Sequence, residues 1–96
     1  MEKEWHRVPV DVVALMRISG DLKPLRILWA DGRSYDVLQA GIPEHTRCRT
    51  GGYADRYEVR LGRSMRELWR GDGVWFVEVE GPEERAYDPR SGFIPC

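Results

Sequence analysis

Alternating apolar and polar positions run through most of the chain and predict strands. The clearest alternation covers residues 25–38 and is interrupted by Asp31-Gly32. An Asp-Gly step between two alternating segments is a strong hairpin signal. Only a three-residue loop, Ala30-Asp31-Gly32, places Ile27 opposite Tyr35 and gives the hairpin one coherent apolar face. We therefore predict a type I turn followed by Gly32 at positive φ in a bulge.

Two further regions carry the two-residue period of a strand. Every second residue from Val8 to Ile18 is apolar, which predicts a single first strand over that range. A second meander follows over residues 55–80, with glycine-marked turns at Gly62 and at Gly71-Asp72-Gly73. Three-residue loops at both turns place Glu67 among apolar residues, so this carboxylate is predicted to be partly buried or paired with an arginine.

Two stretches lack a regular pattern. Residues 39–54 are rich in chain breakers and are predicted to form a long connection, the first place to look for a site. Residues 81–96 contain three prolines and many charges, and we expect an extended or poorly ordered tail.

These elements predict one all-β domain over residues 1–96 with its body at residues 8–80. Six strands in two antiparallel meanders favour a small barrel or a strongly bent sheet, SH3-like or similar. The last strand is apolar on both faces, because Val74 and Phe76 point opposite to Trp75 and Val77. Such a strand is typical of the centre of a sheet or of a self-association face.

Composition restricts the class of protein. The chain has 96 residues, of which 42% are hydrophobic and 32% charged, and its net charge is −1. These are ordinary values for a globular domain. The charged N-terminus lacks the apolar core of a signal peptide, so we expect a cytoplasmic, bacterial protein without membrane contact. Cys48 and Cys96 lie far apart in the sequence and are expected to be reduced.

The turns and aromatic positions of the predicted body form a recognisable set: Pro24-Leu25-Arg26-Ile27, Trp29, Asp31-Gly32-Arg33, Tyr35, Val37-Leu38, Gly51-Gly52, Arg56-Tyr57, Asp72-Gly73 and Trp75-Phe76-Val77-Glu78. This set resembles a family of small uncharacterised proteins from Firmicutes-type bacteria. It is more distantly similar to a domain of unknown function found beside translesion polymerases in actinobacteria. The chain departs from the family pattern at Ile42-Pro43-Glu44-His45-Thr46. The resemblance implies an all-β fold and no particular activity.

One predicted outer face combines arginines with apolar side chains. Residues 47–70 carry seven arginines against three acids. The face contains these seven residues: Arg56, Arg60, Arg66, Arg70, Leu68, Val74 and Phe76. We interpret it as the contact surface of a non-enzymatic interaction module that binds a protein partner or a second copy of the chain. The alternatives are single-stranded nucleic acid, held by backbone attraction and base stacking, or a solvated face whose arginines pair with glutamates.

Enzyme chemistry has one candidate. Cys48 lies between Arg47 and Arg49 and near His45, and flanking cations favour a reactive thiolate. The simpler interpretation is a loop cysteine with incidental neighbours. The chain contains no CxxC or HxxxH spacing and no phosphate-binding glycine motif, so we expect no metal and no cofactor.

Overall fold

The computed structural model describes residues 4–81, which form nine strands and no helix. The prediction of an all-β fold is confirmed, and the predicted number of six strands is wrong. The strands are β1 (Trp5–Pro9), β2 (Asp11–Met16), β3 (Leu22–Leu28), β4 (Ser34–Asp36), β5 (Gln39–Ala40), β6 (Glu44–Arg47), β7 (Tyr53–Leu61), β8 (Ser64–Gly71) and β9 (Val74–Glu80).

The strands form two antiparallel sheets that do not close into a barrel, so the predicted barrel is wrong. The first sheet has the order β1-β9-β8-β7-β5, and β6 also pairs with β7. The second sheet has the order β2-β3-β4. Two sheets arise because the predicted first strand is in fact two strands, one in each sheet.

The break between β1 and β2 lies at Val10. Its amide donates a hydrogen bond of 3.1 Å to the carbonyl of Trp75 in the first sheet, and its side chain is buried. Because Val10 is apolar and keeps the alternating period, the sequence pattern does not mark the break. The apolar face predicted for residues 8–18 is buried at its start and exposed at its end. Val8 is buried, whereas Met16 and Ile18 are exposed.

The hairpin of residues 25–38 has the predicted register and loop length, and Gly32 has the predicted positive φ. Ile27 pairs with Tyr35, and the amide of Trp29 donates to the carbonyl of Arg33 at 2.8 Å. The loop therefore has three residues, and Gly32 has a φ of 97°. An Asp-Gly step inside a short hairpin specifies its own turn, so local chemistry sufficed here.

Both turns of the second meander are one residue shorter than predicted. Leu61 pairs with Ser64, and Gly71 pairs with Val74, so each loop has two residues. A change of one residue in register moves every side chain of a strand to the opposite face. Glu67 consequently lies opposite Glu58, outside the apolar row in which it was predicted.

Apolar side chains pack on both faces of the first sheet. The main core lies between the sheets and consists of Val10, Ile27, Tyr57, Val59 and Leu68. A smaller core on the outer face of the first sheet consists of Cys48, Ala54, Trp69 and Phe76. This second core explains why the β8 and β9 sequences are apolar on both sides.

The stretch of residues 39–54 is more regular than predicted. It contains β5 and β6 and the start of β7, so the expectation of one long connection is wrong. Most of the predicted tail, residues 82–96, lies outside the described residues. Gly81 ends the described chain with an amide hydrogen bond of 2.7 Å to the carbonyl of Glu4.

Candidate functional site

Strands β8 and β9 pair only next to the turn that joins them. The ladder has three residue pairs, from Gly71 and Val74 to Trp69 and Phe76. Yet β8 has eight residues and β9 has seven. Beyond the third pair the two strands share no ladder, although β9 remains paired with β1 as far as Glu80. Within residues 4–81, no strand pairs with the facing edges of β8 and β9 beyond this point, and unpaired backbone groups are the usual requirement for adding a strand.

A cleft of about 520 Å³ opens at this gap between the two sheets. It is lined on one side by Ile27, Trp29, Arg33 and Tyr35 of the β3–β4 hairpin, and on the other by Val59, Leu61, Ser64, Arg66, Glu67, Val77, Glu78 and Val79. The rings of Trp29 and Tyr35 meet edge to face at 5.4 Å. The cleft thus joins an apolar interior to a few charged groups, as ligand sites commonly do.

Within residues 4–81, the charged side chains that line the cleft have ion-pair partners at every position except one. Arg33 bonds to Asp31 at 2.8 Å, and the Asp31 carboxylate is almost fully buried. Glu67 and Glu78 are paired with arginines outside the cleft. Arg66 is exposed and forms no ion pair with any residue in the described range 4–81. The cleft therefore has one cation available to an acidic ligand group.

The gap between β8 and β9 is bridged on the outer face by Arg49. Its Nη1 atom lies 2.5 Å from Oε1 of Glu67 on β8 and 3.5 Å from Oε1 of Glu78 on β9. The hydrogen bond to Glu67 raises the pKa of Arg49. This bridge joins two strands that no longer share a ladder, so it closes the gap from the side opposite to the cleft.

Arg49 belongs to a loop that covers the outer core, and we call Cys48–Gly52 the covering loop. Arg7 of β1 holds it through hydrogen bonds of 2.8 Å from Nε to Thr50 Oγ1 and from Nη2 to the Gly51 carbonyl. The guanidinium of Arg7 also lies 4.3 Å from the ring centre of Phe76. The covering loop is therefore attached to both β1 and β9.

The predicted contact surface is divided between two faces of the first sheet. In the observed register, Arg56 lies opposite Trp69 on the outer face, and Arg60 shares that face. Arg66, Leu68 and Arg70 alternate with them and face the second sheet; Phe76 pairs with Trp69 on the outer side. The prediction that these side chains share one face is wrong because it used the longer loops.

Burial removes two of these residues from any surface. Leu68 is 0% exposed and Phe76 is 2% exposed. Because Phe76 lies beneath Arg7, its ring offers no face for base stacking. Val74 is half-exposed at the β8–β9 turn.

The remaining arginines of the predicted surface differ in their partners. Arg56 pairs with Glu44 at 2.7 Å and with Glu67 at 3.3 Å. Arg60 donates from Nε to the carbonyl of Gly62, and the guanidinium of Arg70 lies 5.5 Å from the Trp75 ring centre. Arg56 and Arg70 are thus engaged within the fold.

The thiol of Cys48 is buried in the outer core, and burial raises its pKa despite the neighbouring charge of Arg7. The sequence suggested that the flanking Arg47 and Arg49 would lower the pKa of Cys48, whereas its pKa is raised. His45 lies on the opposite face of the sheet, where Nδ1 is 3.0 Å from Oδ1 of Asp55. Cys96 lies outside the described residues. Residues 4–81 contain no group of three or more His, Cys, Asp or Glu side chains that could hold a metal ion.

Sequence reasoning identified the hairpin that forms one wall of the cleft and identified Arg66, but it did not find the cleft. No local signal shows that β8 and β9 separate after three pairs. β9 separates from β8 because it stays paired with β1. β1 and β9 lie at the two ends of the described chain, so this pairing leaves no local signal.

Comparisons of the chain with protein-family models, with curated proteins and with solved structures found no match. The family resemblance noted in the sequence therefore stays a prediction. Within residues 4–81 there is no helix with the length and apolar character needed to cross a bilayer.

Proposed function

We propose that the protein is a non-enzymatic interaction module that binds an extended peptide segment of a protein partner in the cleft between β8 and β9. The observation that carries this proposal is the three-pair ladder between these strands, which leaves both facing edges without a strand partner in residues 4–81, beside a cleft lined by apolar and charged side chains. Strand addition gains affinity from main-chain hydrogen bonds and specificity from pockets for alternate side chains.

The lining of the cleft suggests the chemistry of the peptide. The partly exposed side chains of Leu61, Val77 and Val79 offer apolar contacts, and the edge-to-face pair of Trp29 with Tyr35 offers aromatic ones. Arg66, which lines the cleft, supplies a cation that has no ion pair with any residue of the range 4–81. The preferred segment is therefore extended, with apolar residues at alternate positions and an acidic residue opposite Arg66.

A library of random twelve-residue peptides displayed on phage tests the proposal, with the full chain as bait. We expect enriched peptides with alternating apolar residues and an acid, and synthetic copies should bind the wild-type protein. Arg66→Glu should weaken binding roughly tenfold or more, since it replaces an attractive charge contact with a repulsive one. The matched control is Arg60→Glu, the same charge change at an exposed arginine of β7 on the outer face of the first sheet, which should leave binding unchanged.

Two results would overturn the proposal. One is the absence of any enriched peptide that binds in solution. The other is a set of peptides whose affinity is unchanged by Arg66→Glu. Peptides N-methylated at alternate residues provide the test of the binding mode, because they lose main-chain donors and should bind measurably more weakly if a strand is added.

A further inference from the structure

The second sheet has an open edge formed by β2, and we propose that this edge pairs with β2 of a second copy to form a symmetric dimer. β2 (Asp11–Met16) is the first strand in the order β2-β3-β4; within residues 4–81 its one ladder is with β3, and β9 contacts it without pairing. Between Asp11 and Arg17 it carries five consecutive uncharged residues. Long apolar edges without charge or proline are unprotected against pairing with another chain.

Two hydrogen bonds show which backbone groups of β2 face outward. The amide of Arg17 donates to the Asp21 carbonyl, toward β3, at 2.8 Å. The amide of Val10 donates the other way, to Trp75 of the first sheet. The register shift between Val13 and Ala14 places the extra residue, Leu25, on β3, so backbone groups still alternate in direction along β2. The even-numbered residues Val12, Ala14 and Met16 therefore direct theirs away from β3. In the described chain, no backbone partner meets these three residues from that side.

The side chains beside this edge are exposed and apolar. Val13 is 50% exposed, Leu15 is 49% exposed and Met16 is 69% exposed. A second copy would cover them, since strand pairing brings neighbouring side chains on one face to within van der Waals contact. Val13 and Leu15 lie on one face of β2 and Met16 lies on the other, so both faces of this edge carry exposed apolar surface that a second copy would cover.

One register of self-pairing satisfies both the backbone and the charges. If two antiparallel copies meet about Ala14, Val12 pairs with Met16 of the second copy, and all outward amides and carbonyls are used. The same register places Val13 opposite Leu15 of the second copy. It also places Asp11 opposite Arg17 of the second copy. Because the dimer is symmetric, it contains this pair twice.

The charge match is specific because both charged groups are available. Asp11 and Arg17 are exposed, and neither forms an ion pair with another residue of the range 4–81. Opposite charges across a strand pair stabilise it and like charges destabilise it, so this pair selects the register about Ala14. The dimer would contain one continuous six-stranded sheet, β4-β3-β2 followed by the same strands of the second copy in reverse.

This dimer is independent of the proposed peptide site. No residue of β2 lines the cleft between β8 and β9, which is bounded in the second sheet by the β3–β4 hairpin at the opposite edge. Failure of either proposal therefore leaves the other standing, and each has its own readout.

Exchange of the two charges tests the dimer with little risk to folding. Sedimentation equilibrium of the full chain should show a monomer–dimer equilibrium. Asp11→Arg alone and Arg17→Asp alone should each weaken dimerisation roughly tenfold or more, because each creates two like-charge pairs. An equimolar mixture of these two variants should form a heterodimer, and the double variant should recover the wild-type affinity. Arg63→Asp, on the exposed β7–β8 turn, is the control and should have no effect.

Hydrogen exchange locates the interface. The amides of Val12, Ala14 and Met16 should be protected in the wild-type dimer and should exchange faster in Arg17→Asp. A chain that stays monomeric at millimolar concentration would overturn the proposal, as would a dimer insensitive to both charge changes. Protection of these amides in a strict monomer would also overturn it and would assign the edge to another segment of the same chain.

Discussion

Glu78 accepts two hydrogen bonds from Thr50, one from the backbone amide and one from the side-chain hydroxyl, both of 2.8 Å to Oε2. The side chain of Glu78 is only 1% exposed. A buried carboxylate is tolerated when it is paired and hydrogen-bonded, and Arg49 supplies the opposite charge. This relationship attaches the covering loop to β9 at the point where β9 leaves β8.

Removing the Glu78 carboxylate should destabilise the protein. Glu78→Ala leaves the Thr50 amide without its acceptor and deprives Arg49 of one partner, so we expect a loss of about 2 kcal/mol in the free energy of unfolding. Urea denaturation of the wild type and the variant measures this difference in the free energy of unfolding. Glu58→Gln, which removes an exposed carboxylate on β7, should change stability by less than about 0.5 kcal/mol.

A double-mutant cycle with Thr50→Val separates the contact from general damage. We expect a coupling energy of about 1 kcal/mol between positions 50 and 78, since each single variant removes part of the same interaction. Strictly additive losses would show that the two residues do not interact as described.

Gly71 and Ala54 form a close cross-strand contact that should tolerate no added methyl group. A Cβ at position 71 would lie 3.1 Å from the Cβ of Ala54, which is itself buried in the outer core. We expect Gly71→Ala to cost about 1–3 kcal/mol through overpacking. The variant Gly71→Ala/Ala54→Gly should recover part of this loss in thermal denaturation. Equal destabilisation with and without Ala54→Gly would refute the steric explanation.

Asp72 is the one non-glycine residue at positive φ in residues 4–81, with a φ of 54°. Together with Gly73 it forms a two-residue turn that requires left-handed backbone at both positions. Asp72→Ala should destabilise the protein by about 1 kcal/mol, whereas Asp72→Asn and Asp72→Gly should be nearly neutral. Arg63→Ala, in a turn position without positive φ, is the control. Melting temperatures that do not distinguish alanine from asparagine at position 72 would contradict this account.

The buried thiol of Cys48 should react slowly with alkylating reagents at neutral pH. Burial raises its pKa above the ordinary value of 9.0, so the thiolate is scarce in the folded state. In a Cys96→Ser background, iodoacetamide should modify Cys48 much more slowly in the native protein than in urea. Rapid native modification with an apparent pKa below 9 would instead support thiol chemistry at this residue.

The raised pKa of Cys48 should make the folded protein less stable at high pH. Because folding raises the pKa of Cys48, the unfolded chain loses this proton first, and the free energy of unfolding should fall as the pH rises above about 9. Burial likewise raises the pKa of Tyr57 from 10.0, which adds to the loss at higher pH. Cys48→Ala should flatten the part of the curve nearest pH 9, measured by urea denaturation at each pH.

Local patterns were sufficient for some parts of the fold. The β3–β4 hairpin follows from Asp31-Gly32 and the alternation on either side, and Gly32 has the positive φ that this turn chemistry predicts. The strands of the second meander were also found, because alternation identifies a strand wherever one of its faces is buried. In each case the information lies within about ten residues of the chain.

Local alternation did not determine the register of strands that are apolar on both faces. Trp69 and Phe76 pack in the outer core, while Leu68 and Trp75 face the other side, so a shift of one residue exchanges one apolar face for another. The sequence pattern therefore could not choose between two-residue and three-residue loops. That choice divided the predicted arginine surface between two faces.

The sequence by itself determined that this chain is built from antiparallel strands and where most of its turns lie, because alternation and glycine-marked turns act over short distances. Only the tertiary structure decided that the first predicted strand divides at Val10, that β9 leaves β8 to follow β1, and that the covering loop closes the outer core. These features depend on contacts between distant segments, and the free energy of such contacts is not encoded in any local pattern.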